Sequence, residues 1–183
     1  MGNVPGMPRW LGLAGLLPQF ICVAVLYWGP DHSREPAQII SVAYAALILS
    51  FLGGTWWGIA AMAPAAERRR ALGWVWIAAV LPALVGLACF LPWLLGWEWP
   101  EPSLIMLAGG LLVSLGVDAK LNSLAPPWWM ALRVPLSIGL GLLTLAAALA
   151  YLEVTPAASS SRPSLPVSHN HHIWKSALKL HNG

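Results

Sequence analysis

Asp118 and Arg133 are the residues of this chain best placed to do chemistry inside a membrane. Apart from Glu153 at a helix end, Asp118 is the only acid near a membrane-embedded stretch. An intramembrane acid is costly, so it marks a functional site by default. Arg133 follows across a short Pro126-Pro127 hairpin, near the start of the next apolar run. The favoured reading is an Asp118–Arg133 ion pair that locks two helices; proton or ligand coordination by Asp118 is the second. Asp118 also belongs to a polar series in four-residue steps, Gly110, Ser114, Asp118 and Asn122.

A second series consists of small residues. Ala46, Ser50, Gly54 and Gly58 recur every four positions, and Gly53 broadens the row. Residues four apart share a helix face, and small ones let helix backbones approach closely. The seam therefore packs either within the bundle or against a partner helix or second copy.

Other chemistry is poorly supplied. No histidine lies in an apolar run, and there is no C-x-x-C-H, which argues against haem. No Gly-rich phosphate loop, zinc pattern or G-x-S-x-G nucleophile is present. Cys22 and Cys89 sit inside apolar runs as small hydrophobes. The basic residues are scattered rather than striped, so nucleic acid is not an expected partner. Neither a cofactor nor a metal is expected; His169, His171 and His172 form an incidental cluster near the C-terminus.

These residues need elements to position them. Of the 183 residues, 58% are hydrophobic and 9% charged, against about 25% charged in a soluble domain. The mean hydropathy is +0.67. A bilayer core takes roughly 20 apolar residues per helix. Five runs qualify: residues 10–28, 39–62, 72–95, 104–121 and 129–152. They predict an all-α polytopic membrane protein, a bundle of five transmembrane helices within residues 1–154. The breaks are polar or proline-bearing: residues 29–36, 67–70, 97–102 and 125–127. The first run exceeds a signal-peptide core and no A-x-A-like site follows it, so it reads as a retained helix. Residues 155–183 form a Ser/Pro-rich, His-containing tail, flexible or ordered by a partner, ending in a short interfacial helix around Trp174.

The twelve tryptophans gather at run ends, as in interfacial belts. Trp10, Trp28, Trp56, Trp57, Trp97, Trp99, Trp128 and Trp129 are placed this way. Arg68, Arg69 and Arg70 follow the second run, whereas the next connection carries only Glu98 and Glu101. The positive-inside rule then makes the arginine loop and the N-terminus cytoplasmic. A bacterial inner membrane is the expected location. Pro18 and Pro82 fall inside runs, with Pro92 and Pro135 near ends. Each interior proline frees a carbonyl four residues back, those of Ala14 and Ala78. The kinked faces should therefore point at other helices. Trp10, Ala14, Leu17 and Pro18 align with Trp74, Ala78, Leu81 and Pro82 at an offset of 64, as do Leu47 with Leu111 and Ser50 with Ser114. A parallel repeat would explain this; chance similarity between apolar segments is the favoured account.

Several stretches carry a family resemblance. They are residues 8–18, the segment from Tyr44 to Gly58 containing Gly53, Gly54 and Trp57, then Asp118, and residues 127–133. Over about residues 8–152 the chain resembles the membrane family called domain of unknown function 3429, which includes bacterial inner-membrane proteins and a mitochondrial relative. The resemblance implies a five-helix membrane protein. It marks Gly53, Gly54, Trp57, Asp118 and Arg133 as motif positions and implies no activity. The expected function is a non-enzymatic accessory subunit, scaffold or assembly factor of a larger bioenergetic or transport complex. Its partners would be membrane lipids and other membrane-protein helices, or a second copy. A small transporter, or a lipid- or small-ligand-binding protein using Asp118, is the alternative.

Overall fold

The computed structural model describes residues 4–63, 73–97 and 99–160, with side chains described as far as residue 150. Arg68, Arg69, Arg70, Glu98 and the histidine cluster lie outside the described residues. Seven helices occur among them: α1 (Gly6–Ala14), α2 (Leu17–Trp28), α3 (Asp31–Met62), α4 (Gly73–Ala88), α5 (Leu91–Leu94), α6 (Glu101–Leu121) and α7 (Trp129–Ser160). They make five segments long and apolar enough to cross a membrane: Gly6–Trp28, Asp31–Met62, Gly73–Leu94, Glu101–Leu121 and Trp129–Ala150. The protein is thus an all-helical, multi-pass membrane protein.

The prolines act differently from one another. Before Pro18 the helix breaks at Gly15 and Leu16, and α2 restarts with Pro18 in its first turn. There the missing N–H costs nothing, because first-turn donors have no intrahelical partner. The carbonyl satisfied from another helix is that of Gly15, which accepts from the Tyr44 hydroxyl. Ala14, the residue expected to be freed toward a neighbour, is exposed. Pro92 repeats the device, starting α5 after a turn at Cys89 and Phe90. The Cys89 carbonyl so exposed accepts from Ser103 Oγ at 2.7 Å and Trp99 Nε1 at 3.2 Å. α5 then closes with a left-handed glycine, Gly96 at φ 69°, and Trp97 N–H donates back to the Pro92 carbonyl. α4, by contrast, runs straight through Pro82, which is buried against α3.

Two boundaries depart from the sequence expectation. The break expected over residues 29–36 shrinks to Gly29 and Pro30, and α3 begins at Asp31. Asp31 in the first turn complements the helix dipole and pairs with Arg34 at 3.1 Å. Pro36 removes one bond near the helix end, where water can replace it. At the other end, α7 continues through residues 155–160, the first part of the expected tail.

α3 is the centre of the bundle, packing on α2, α4, α6 and α7. Its buried row is Val42, Ala45, Leu49, Leu52, Trp56 and Ala60; the facing row of α6 is Leu104, Leu107, Leu111, Ser114, Asp118 and Leu121. Both rows advance in steps of three or four, as 3.6 residues per turn requires. α6 packs chiefly on α7, and α4 on α3 rather than on α6. The first two spans therefore pair in a way the third and fourth do not, and the fold does not express the offset of 64 as a structural repeat.

Candidate functional site

Three helices meet at the end of the bundle where α3 and α6 finish and α7 begins. Asp118 from the last turn of α6 is fully buried. Its Oδ2 accepts from Arg133 Nε at 2.9 Å and Nη2 at 2.7 Å, with Arg133 carried by α7. Its Oδ1 accepts from Trp56 Nε1 of α3 at 2.8 Å. The expected ion pair is therefore present, and it is a three-helix clamp rather than a two-helix lock. Both carboxylate oxygens are occupied, which is what makes burial of the charge tolerable. The Trp129 ring lies 5.6 Å from the Arg133 guanidinium carbon, in cation–π range. Lys120 sits over the Trp74 ring at the same distance, 5.6 Å.

Trp56 corrects the tryptophan reading. Its place near a run end predicts an interfacial position, yet it is only 3% exposed, whereas its neighbour Trp57 is 50% exposed. Trp57 meets Trp76 edge-on at 4.6 Å between centroids. Adjacent residues point about 100° apart on a helix, so one faces the clamp and the other the surroundings. Trp128 and Trp129 are half-buried at the start of α7.

The small-residue row splits for the same reason. Steps of four overshoot a turn by about 40° each, so four residues so spaced drift by about 120°. Ala46 is buried and faces Gly86 of α4, where an added Cβ would lie 3.3 Å from the Ala46 carbonyl oxygen. Gly53 faces the Ala79 carbonyl so closely that a Cβ would sit 2.2 Å from it. Ser50 is half-buried, while Gly54 and Gly58 are exposed with nothing within 4 Å of a Cβ. Within the chain the seam is thus Ala46 and Gly53 against α4, and Gly54 with Gly58 forms a separate outward row. The polar series on α6 drifts likewise: Ser114 and Asp118 face inward, Gly110 is half-buried, and Asn122 is exposed.

One buried cluster escaped the sequence reading. Gln19 of α2 donates from Nε2 to Ser41 Oγ of α3 at 2.7 Å and to Thr144 Oγ1 of α7 at 3.1 Å. All three residues are fully buried, and Gln19 Oε1 has no partner. The signal available was slight: Gln19 is the one carboxamide in the first apolar run. Among the described residues, no group of three or more His, Cys, Asp or Glu could hold a metal ion.

Five apolar spans clamped at one end by a buried ion pair define a small polytopic α-helical membrane protein. The chain belongs to the family described as Protein of unknown function (DUF3429), which matches residues 4–149. A curated relative, Transmembrane protein 69 of Xenopus tropicalis, is 29% identical over 136 residues, covering 74% of this chain and 51% of that protein. The chain thus spans about half the length of the curated relative it matches. No solved structure matches.

Proposed function

We propose that this protein is a non-enzymatic accessory subunit, scaffold or assembly factor of a larger membrane complex. It would work in a bacterial inner membrane with the N-terminus cytoplasmic, by docking a transmembrane helix of another protein on the outer face of α3. The observation that carries the reading is the outward row of Gly54 and Gly58, on the helix that is otherwise the centre of the bundle. The row is flanked by the exposed side chains of Leu47, Phe51 and Met62. Two glycines one turn apart leave a hollow between such knobs, a shape that accepts a closely approaching helix backbone. The clamp supports the reading in a second way. Asp118 already accepts three hydrogen bonds, which leaves it poorly suited to bind a substrate, as the transporter alternative asks.

The test is native mass spectrometry of the protein extracted in mild detergent from its own membrane. A stoichiometric membrane-protein partner is expected with the wild type and is lost from the Gly54→Leu, Gly58→Leu double variant, without any fall in melting temperature. A wild-type protein found alone or only with a second copy, or a partner retained by the variant, would overturn the proposal.

A further inference from the structure

Between α1, α3 and α7, at the end of the bundle that holds Asp118, lies a groove of about 390 Å³. That is within the size range of small-molecule sites, about 300–1,000 Å³. Leu11, Leu16, Phe51 and Leu136 give it apolar walls, and Arg133 and Trp129 also line it. Gly54 and Gly58 do not line it, although Phe51 borders both the groove and the proposed helix seam.

Two of the polar groups at this groove are donors without acceptors. Arg133 spends Nε and Nη2 on Asp118 and makes no other hydrogen bond among the described residues, which leaves Nη1 unused. Trp129 Nε1 is buried and also has no partner. A buried donor left unsatisfied costs about 1–3 kcal/mol, so an occupant that supplies an acceptor gains at Trp129 Nε1, and Arg133 Nη1 adds a charged donor beside it. That occupant has to be apolar along most of its length, with acceptor oxygen at one end.

Charge selects the kind of acceptor. At this end the described residues carry Arg9, Lys120 and Arg133, and the one acid, Asp118, is already paired. Arg9 lines an adjoining cleft that shares Leu132 and Leu136 with the groove. The connection after α3 adds Arg68, Arg69 and Arg70 against the single acid Glu67 by sequence. A bilayer surface bearing anionic headgroups is attracted to such an end.

We propose that this groove holds one acyl chain of an anionic phospholipid, whose phosphate accepts hydrogen bonds from Arg133 Nη1 and Trp129 Nε1. The protein then carries a specific lipid at the arginine-loop end of its bundle, in addition to the lipid that surrounds any membrane protein.

The experiment uses the full chain, delipidated in detergent and titrated with phosphatidylglycerol or with phosphatidylcholine of the same acyl chains. Bound lipid is counted by native mass spectrometry. One phosphatidylglycerol per chain is expected, retained about tenfold more strongly than phosphatidylcholine. Trp129→Phe keeps an aromatic ring and removes the N–H, and should lose most of that preference. Leu11→Trp fills the groove from an exposed position on α1 and should abolish retention without altering the lipid-free melting temperature. Lys120→Gln, at the same end but outside the groove, should cost far less of that preference than Trp129→Phe. Equal retention of the two lipids, or undiminished retention by Leu11→Trp, would overturn the proposal. A loss in Lys120→Gln equal to that in Trp129→Phe would reduce the effect to surface charge and overturn it as well.

Discussion

Replacing Gly53 with alanine should destabilise the protein, although the same change one residue later should stabilise it. At Gly53 the new Cβ would lie 2.2 Å from the Ala79 carbonyl oxygen, where real Cβ atoms stay beyond 3.0 Å. The obstacle is backbone, so no side-chain rotation relieves it, and α3 and α4 must separate by roughly the shortfall. Overpacking of this kind costs about 1–3 kcal/mol, and a rigid carbonyl puts Gly53→Ala in the upper part of that range. At Gly54 there is nothing within 4 Å, and alanine gains about 1 kcal/mol of helix propensity over glycine. Both variants share the propensity gain, so their difference isolates the packing cost: Gly53→Ala should be less stable than Gly54→Ala by about 1–3 kcal/mol. Thermal unfolding of the two proteins side by side, in one detergent, measures it. If Gly53→Ala proves as stable as Gly54→Ala, then α3 does not present Gly53 to α4, and the orientation argued for the central helix is wrong.

Asp118→Asn should lower stability by about 3–5 kcal/mol, since it leaves the Arg133 cation buried without its counter-charge. Asp118→Asn combined with Arg133→Gln should recover much of that loss, and a double-mutant cycle by thermal unfolding showing simple additivity would contradict the clamp. Gln19→Leu should lower stability by about 1 kcal/mol, because losing both hydrogen bonds, which leaves the buried Ser41 hydroxyl without Gln19, is partly offset by removing the unpartnered Oε1. A large loss on the same unfolding curve would mean that Oε1 has a partner, such as an ordered water.

The α-helical membrane character of the chain is legible without coordinates, because hydropathy over about 20 residues is a property of composition alone. The same holds for five spans. The Asp118–Arg133 pair was legible too. Two opposite charges flanking a short hairpin in an apolar chain have few other partners, and leaving either alone in lipid is costly. Trp56 was not legible as its third member, since a tryptophan near a run end looks the same whether it faces lipid or a carboxylate. Pro18, Pro82 and Pro92 also looked alike in sequence. The fold separated them: two start new helices, and one is buried inside a continuous helix against Gly53.

What the sequence by itself determined, then, is how many times the chain crosses and which two charges must find each other. What only the tertiary structure decided is rotation about each helix axis. It put Gly53 and Trp56 inward and Gly54 and Trp57 outward, and it brought Gln19, Ser41 and Thr144 into contact from three different helices. The physical reason is that these helices are apolar on every side. In water a polar face tells a helix which way to turn; in lipid the outer face is as apolar as the core. The rotation is then set by close backbone approach and by a few buried hydrogen bonds, which exist only once the partner helices are in place.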